Sequence, residues 1–300
     1  MQGIEYSKPE VYLLQDSGIG VAELAGRTAY DSFDKSENEA VRDFGGEWLE
    51  EVDKDSFEFD EGIISLNTIE YSGLLDQLAW VHFHHSVVEH SILSYLIKGM
   101  SRGVLQEMSR HRIGVSPTVR STRYTMAKVL YAFIAAFTSI DSVSPETSRG
   151  NFFRLIKKLD MFVITDDRYL KIETDAMYDK LFFQVYQVGV EEFYKSVLAK
   201  DNLEFILGMI NGKRLTYLEI FEVLSSNKSK RNVGDHYKHL VTDNWKVDMV
   251  VTFNLRSLKH FFDLRESGSA WFQIQWLAEA IKEATPKKYL RLIDKKFKED

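Results

Sequence analysis

The sequence predicts an α+β chain, and three observations lead there. Short apolar runs with strand character recur near residues 11–15, 91–98 and 119–126. Helical patterns lie between and after them, at 20–33, 67–81, 101–110, 249–265 and 270–283. A long stretch, 129–230, is aromatic-rich and mostly helical in pattern, and nothing in it resembles a catalytic motif. The chain has only four prolines and neither a low-complexity linker nor an internal repeat. One domain over residues 1–300 is therefore expected, with a helical insertion at about 129–230.

The elements follow in order. Val11–Gln15 reads as a short strand, and Gly20–Phe33 as a helix with Val21, Leu24, Ala25 and Thr28 at helical spacing. Residues 34–62, with Asp34, Asp53, Asp55, Asp60 and Glu61, read as a solvated acidic face and loop. Asn67–Val81 is helical in pattern. Ser91–Lys98 is apolar on both faces, as a buried strand would be. Ser101 can cap a helix running to about Arg110. Ser116-Pro117 interrupts regular structure, because the residue before a proline is pushed out of the helical region; Val119–Met126 then resumes as a strand. A polar break at Ser142–Gly150 divides the helical insertion. Met249–Arg265 and Ala270–Glu283 read as two closing helices.

Hydrophobic residues make up 44% and charged residues 28% of the 300-residue chain, ordinary values for a globular protein. The formal net charge of −7 argues against broad coating of nucleic acid, which needs a basic face. No cysteine is present, so disulfides, thiolate metal sites and cysteine nucleophiles are excluded together. The start, Met1-Gln2-Gly3-Ile4-Glu5, lacks the basic opening and apolar run of a secretory signal. No apolar stretch approaches the roughly 20 residues of a membrane span. A cytoplasmic location, with no membrane or nucleic-acid partner, is expected.

Against this acidic average, Arg110-His111-Arg112 and Ser121-Thr122-Arg123-Tyr124 stand out, with Arg102 and Arg120 nearby. A core could not bury such a cluster unpaired. Guanidinium forks match phosphate and carboxylate oxygens two at a time. The cluster therefore reads as a grip on more than one anionic group of a nucleotide-like ligand; the plainer alternative is pairing with surface carboxylates. The end of the 101–110 helix disfavours anions, so the arginines themselves must supply the attraction. Ser121 serves either as a nucleophile, which would need a paired base that no Ser-His-Asp pattern supplies, or as a hydroxyl donor to phosphate. Tyr124 reads as packing.

Two further constellations carry chemistry. In His82–His90, the residues His84, His85, Glu89 and His90 could ligate a metal, form a hydrogen-bonded turn or bind a ligand. A helical zinc pair wants spacing i and i+4, whereas His85 and His90 are five apart, about 140° around a helix. In Asn254–Arg265, one stripe carries Asn254, Leu258, Phe261 and Arg265, and another carries Arg256, His260 and Asp263. Polar ends roughly 16 Å apart along such a helix could line a long flat pocket or pair with carboxylates at an interface.

Taken together, these segments resemble the flavin-dependent thymidylate synthases. That family carries an Arg-His-Arg signature, a Ser-x-Arg-Tyr element after it, an upstream His-x-Ser/Thr-x-x-Glu-His element and a downstream Asn-x-Arg…Leu-Arg helix. Here these stand as Arg110-His111-Arg112, Ser121–Tyr124, His84–His90 and Asn254-Leu255-Arg256 through Leu264-Arg265. The order along the chain agrees, and the likeness covers about 9–33, 65–126 and 232–283. It implies an antiparallel sheet flanked by helices. It also implies a methyltransferase of dTMP biosynthesis that joins the methylene of 5,10-methylenetetrahydrofolate to dUMP, giving dTMP and tetrahydrofolate. Reduced FAD would supply the hydride and NADPH the reducing power, in a homotetramer whose sites are shared between subunits. A chain without a thiol nucleophile must activate the pyrimidine electrostatically and leave the hard chemistry to its cofactor.

By this resemblance, Arg265 is the catalytic residue and holds the uracil edge. Glu107, Arg110, Ser121, Thr122, Arg123 and Lys238 join it in binding dUMP. FAD falls to Ser86, Arg110, His111, Arg112, Asn254, Arg256 and His260, with His84 and Glu89 as second choices; no metal is expected. The chain departs from the family pattern in four places. Eight residues, Ile113–Arg120, separate the Arg-His-Arg signature from Ser121, where seven are usual, and a bulge at Gly114-Val115 could absorb the extra one. Val119 stands where many members have glutamate, His260 replaces a common asparagine, and Ser269 replaces a histidine found in some. These departures motivate a second reading, a non-catalytic nucleotide- or flavin-binding homologue. A metal-dependent hydrolase built on the 82–90 histidines is a third.

Overall fold

The computed structural model describes residues 7–46, 66, 68–163, 166–212, 214–226 and 233–297. Asp53, Asp55, Asp60, Glu61 and Asn67, which figured in the expected acidic loop and third helix, lie outside them. Among the described residues are strands β1 (Glu10–Asp16), β2 (Ile92–Ser101), β3 (Val115–Val119) and β4 (Lys246–Asn254). The first helices are α1 (Gly20–Tyr30), α2 (Glu39–Gly46), α3 (Gly73–Trp80) and α4 (Arg102–Met108). An all-helical run follows: α5 (Thr122–Thr138), α6 (Pro145–Leu159), α7 (Asp167–Val188), α8 (Val190–Val197), α9 (Lys200–Asn211), α10 (Tyr217–Ser226) and α11 (Val233–Tyr237). After β4 come α12 (Leu255–Arg265), α13 (Phe272–Ala284) and α14 (Lys287–Ile293).

The fold is α+β, with a four-stranded antiparallel sheet in the order β1-β2-β4-β3, flanked by helices. The chain divides into two compact units. One comprises Met1–Ser7, Ser101–Gly103 and Arg120–Val247; the other comprises Lys8–Met100, Val104–Val119 and Asp248–Asp300 and contains most of the sheet.

In the sheet unit, β1 runs against β2 from Glu10↔Lys98 to Asp16↔Leu93, with an irregularity between Leu13 and Gln15. β3 runs against β4 from Val115↔Phe253 to Val119↔Met249. Period-two alternation turns Leu93, Tyr95 and Ile97 of β2, and Met249, Val251 and Phe253 of β4, into the core. The other face of β2 is not buried as the sequence suggested: Ile92 is exposed, and Ser94 instead meets Thr252 of β4, Oγ to Oγ1 at 2.8 Å. α1 ends at Tyr30 rather than Phe33, because Asp31 turns into the left-handed region (φ 45°) and its N–H reaches back to Arg27 and Thr28 carbonyls. Val21 and Thr28 are exposed. Gly20, Ala22, Glu23, Gly26 and Arg27 face inward. Gly20 lies so close to Leu66 that a Cβ would come within 2.5 Å of it, and Glu23 is held by Arg27, Ser36 and Asn38.

Two strand assignments change. Val119–Met126 is not a strand; β3 precedes it at Val115–Val119, and α5 starts at Thr122. Pro117 sits within β3, which tolerates it because β3 is the edge of the sheet. Likewise Met249–Asn254 belongs to β4, so the helix expected from Met249 begins only at Leu255. The run Met249-Val250-Val251-Thr252-Phe253 is rich in β-branched residues, which favour the strand.

In the helical unit, α5 is apolar on nearly every side, from Met126 through Ala136, and is accordingly buried. Phe133 is its centre, with ring centroids 6.2 Å from Phe152, 5.3 Å from Tyr178 and 5.7 Å from Phe193. The expected break at Ser142–Gly150 is shorter than its polarity suggested. Ser144 caps α6 by accepting from Thr147 N–H, and Pro145 occupies its first turn.

Gly114 joins the Arg-His-Arg segment to β3 at φ 63°. A Cβ there would lie 2.2 Å from Asn254 Nδ2 and 2.4 Å from Ser257 Oγ. Gly114→Ala combines a left-handed alanine with a clash that α12 cannot easily relieve. It should lower unfolding free energy by about 2–4 kcal/mol, read as a shifted denaturant midpoint; a midpoint equal to that of the parent would contradict this account.

Candidate functional site

All of the Asn254–Arg265 motif but its first residue is the helix α12, and its entry is fixed before any ligand is considered. Asn254 caps α12 by accepting from Ser257 N–H at 2.8 Å. The same two residues grip the Arg-His-Arg loop: Asn254 N–H donates to Gly114 O at 2.9 Å, and Ser257 Oγ donates to Ile113 O at 2.6 Å. Leu258, Phe261 and Phe262 are buried and set the helix rotation. Arg265 is thereby delivered at the last turn, where a cation also suits the helix dipole.

The Arg265 guanidinium is largely buried and held from two sides. Nη1 donates to Glu107 Oε2 at 2.9 Å, Nη2 to the Glu107 carbonyl at 3.3 Å, and Nε to His111 Nε2 at 3.0 Å. One N–H on each terminal nitrogen is left without an acceptor among the described residues. Accepting from Nε requires His111 to be neutral at Nε2. Burial, and then the neighbouring Arg265 and His260, pull its pKa from 6.5 down to about 4, while Glu107 opposes the shift. The ring packs edge-on to Phe261 at 5.1 Å and His260 at 6.1 Å. Arg110 is exposed and pairs with Glu107 at 3.3 Å; Arg112 is exposed.

On the same unit a cavity of about 500 Å³ is lined by Phe83, His84, His85, Ser86, Arg256, Lys259, His260 and Asp263, a size within the range of small-molecule sites. Arg256 is oriented by Glu89 at 2.5 Å, and Lys259 by Asp263 at 2.9 Å. His84 Nδ1 lies 2.8 Å from the Tyr30 hydroxyl. Burial, then Lys259 and Arg256, lower the pKa of His85. Phe83 is held at φ 54° and exposed at the mouth, a conformation costing a non-glycine residue roughly 1–2 kcal/mol. Hydroxyl, imidazole, guanidinium and ammonium donors around one concavity suit a ligand with anionic and aromatic parts, as a flavin dinucleotide has. Among the described residues, no three His, Asp or Glu side chains gather as a metal site.

In the helical unit, Ser121 is the N-cap of α5, and its hydroxyl oxygen accepts from Arg123 N–H at 3.3 Å. This reverses the electrostatic setting read from the sequence. The Ser121–Arg123 turn is the positive end of a 17-residue helix, where backbone N–H groups and the dipole themselves favour an anion. Arg123 is exposed and pairs with Asp235 of α11 at 2.5 Å. Gly234 lies directly on this turn, and a Cβ there would fall 2.2 Å from Arg123 Cα. Thr122 is buried, and Lys238 is exposed just after α11.

Within the sheet unit, then, the structure brings Glu107, Arg110, His111 and Arg265 together, and separately Ser86, Arg256 and His260. Asn254 acts there as a cap. Asp263 was read on the α12 stripe and Phe83 fell within the His82–His90 segment, but neither was named as a site residue; Tyr30, Lys259, Gly234 and Asp235 were missed. Lys259 could have been found as the i,i+4 partner of Asp263 beside Arg256 and His260. The others reach their sites through tertiary contacts that leave no local pattern.

The family follows from likeness along nearly the whole chain. The family model described as thymidylate synthase complementing protein matches residues 14–289. The chain belongs to that family. Curated relatives named flavin-dependent thymidylate synthase include those of Wolinella succinogenes, 26% identical over 281 residues (93% of this chain, 94% of the relative), and Campylobacter jejuni, 26% over 280 residues (93% of each). Two crystal structures of the Helicobacter pylori thymidylate synthase X, each with FAD and dUMP, are similar in fold. One has a TM-score of 0.53 at 21% identity, covering 97% of this chain and 99% of that one; the other has 0.51 at 22%, covering 95% and 98%. The bounds of the thymidylate synthase complementing protein match enclose the helical stretch at 129–230 as well as every motif discussed above.

His111 gives the site of this family member a pH signature. Unfolded, it takes up a proton near its ordinary 6.5; folded, only near 4. Its contribution to stability is therefore full above about pH 6.5 and is lost as pH falls from there toward 4. Between pH 7.5 and 4.5 the urea midpoint of His111→Gln should fall less than that of the parent. Equal falls would show that His111 titrates normally.

Proposed function

We propose that the chain is an FAD-dependent thymidylate synthase that transfers the methylene of 5,10-methylenetetrahydrofolate to dUMP, with NADPH as reductant, yielding dTMP and tetrahydrofolate. The observation that carries this reading is the Arg265 guanidinium, fixed by Glu107 and a neutral His111 with two N–H groups unspent, in a cysteine-free member of the family. Relatives bearing the enzyme's name along nearly the whole chain, and the FAD and dUMP held by the Helicobacter pylori protein, support it.

Arg265 holds the uracil edge and stabilises negative charge developing at N3 and O2, a preorganised-donor effect that needs no thiol. Glu107 contributes through Arg265: its carboxylate orients the guanidinium rather than facing an anionic substrate. Ser121, Thr122 and Arg123 take the phosphate at the N-terminus of α5, where the phosphate competes with Asp235 for Arg123, and Lys238 and Arg110 are further basic contacts. Ser86, Arg256 and His260 would hold FAD in the 500 Å³ cavity, with His111, Arg112 and the Asn254 cap shaping its approach. FAD, when bound and reduced, supplies the hydride. The proposed assembly is a homotetramer sharing sites between subunits, the proposed compartment is the cytoplasm, and 129–230 is an insertion in a single catalytic domain.

Purified protein should be yellow, with isoalloxazine absorption near one flavin per chain, and should oxidise NADPH in a dUMP-responsive manner. Arg265→Ala should abolish dTMP formation while keeping the fold. Arg123→Ala should weaken dUMP binding roughly 10- to 100-fold, the worth of one or two charged hydrogen bonds. Colourless protein, or unchanged turnover in Arg265→Ala, would remove this reading. Flavin and dUMP binding without any dTMP would favour the non-catalytic homologue.

A further inference from the structure

The turn that carries the cavity histidines of the sheet unit is pinned from several sides. Phe83 sits at φ 54°, a left-handed conformation whose strain persists only where the surroundings fix it. The next residue, His84, is anchored through its backbone, its N–H donating to Leu78 O at 2.8 Å. The Phe83 ring stacks on His85, with 6.1 Å between centroids and 14° between planes. From the other side comes α1. Gly26 lets it approach so closely that a Cβ there would lie 3.2 Å from Leu78 Cδ1 and 3.5 Å from Val87 Cγ1. Tyr30 stands one turn further along the same helix face, and its hydroxyl lies 2.8 Å from His84 Nδ1. Among the described residues, neither that hydroxyl nor His84 Nε2 has another hydrogen-bond partner.

We propose that Tyr30 is a positioning residue: it fixes the tautomer of His84, so that the ring presents an Nε2–H donor to the ligand of the 500 Å³ cavity. A neutral imidazole has one donor and one acceptor nitrogen, and the hydrogen bond made by one decides what the other offers. The phenol is the stronger proton donor of this pair, and an unprotonated ring nitrogen is the stronger acceptor. The bond therefore runs from the Tyr30 O–H to Nδ1, and the ring proton sits on Nε2. His84 belongs to the cavity wall and Tyr30 does not. Nε2, on the far side of the ring from Tyr30, is thus the nitrogen left for a ligand. It donates to an acceptor such as the ring carbonyl or phosphoryl oxygens of FAD, whereas the opposite tautomer would turn a lone pair toward theirs. Arg256 and Lys259 bring charge to the same cavity, each already engaged by a carboxylate; His84 adds a neutral, directional donor. The identity of the ligand as FAD rests on the enzymatic reading above, and the tautomer does not.

Nitrogen magnetic resonance of protein labelled at its histidines reads the tautomer directly. At about pH 8, above the ordinary imidazole range, the His84 signals, assigned by their loss in His84→Asn, should show a protonated Nε2 and a hydrogen-bonded, unprotonated Nδ1. Tyr30→Phe keeps the ring at an exposed position and should leave the melting temperature unchanged. It should remove the hydrogen-bonded shift of Nδ1 and admit the opposite tautomer. Its Kd for FAD, followed by flavin fluorescence, should rise roughly 2- to 10-fold, the worth of one hydrogen bond. In the His84→Asn background, which lacks the Nε2 atom, Tyr30→Phe should cost no further affinity, because Tyr30 acts only through His84. A parent His84 protonated at Nδ1, an unchanged nitrogen spectrum or Kd in Tyr30→Phe, or an equal loss of affinity in both backgrounds would each overturn the proposal. A parent that binds no flavin would instead remove the enzymatic reading, and the nitrogen spectrum alone would then decide the tautomer.

Discussion

The sheet unit is organised around one electrostatic constraint: a guanidinium that must stay charged, nearly buried and pointed in one direction. Arg265 meets it through Glu107, which supplies the countercharge, and His111, which supplies a lone pair. The second partner is the delicate one. A protonated imidazole 3.0 Å from a guanidinium would place two cations side by side, so the geometry holds only while His111 is neutral. Burial against Phe261 secures that neutrality, and Arg265 itself reinforces it. The pair therefore stabilise each other: the arginine keeps the histidine neutral, and the neutral histidine keeps the arginine oriented.

The constraint reaches back into the chain through α12. A side chain at the last turn of a helix is only as well placed as the first turn. Here the first turn is fixed by Asn254 and Ser257, which hold their own backbone and also the loop from which His111 comes. Gly114 makes this possible, since its missing Cβ is the space that Asn254 and Ser257 occupy. The two ends of the guanidinium's support, His111 and α12, are thus built from one hydrogen-bonded corner.

Legibility in the sequence followed the range of the interactions. The α+β class, α13 and the helical run of 129–230 were readable from local periodicity. So were the motif residues themselves, since guanidinium and imidazole clusters in an acidic chain are conspicuous. The 249–254 segment was not, because Met249 to Phe253 merges without punctuation into the helical stripe of α12, and the change from strand to helix is made by a single cap, Asn254. The spacing of Val21, Leu24, Ala25 and Thr28 announces the α1 helix but not its buried face. Its inward side is not its most apolar side but the one where Gly20 permits contact with Leu66 and Gly26 with Leu74 and Leu78, and whose Glu23–Arg27 pair is satisfied internally. The pairings of Asp235 with Arg123 and of Tyr30 with His84 depend on tertiary approach and carry no local signature.

That Ser121–Arg123 opens α5, and is not part of a strand, reverses the electrostatics of this segment. As a strand, Ser121–Arg123 would offer an anion only its side chains, beside a helix end that repels. As the first turn of α5, it offers backbone N–H groups, a capping hydroxyl and a guanidinium, all directed by the same helix. The cap geometry explains why a serine and an arginine two residues apart form a unit: Ser121 orders the backbone of Arg123 by accepting its N–H, so loss of the hydroxyl would disturb the turn as well as remove one donor. It also explains the part played by Asp235. Its carboxylate holds Arg123 at this positive end, so the proposed phosphate would exchange one charge-assisted contact for another. The exchange costs little desolvation because the Arg123–Asp235 pair is half-exposed.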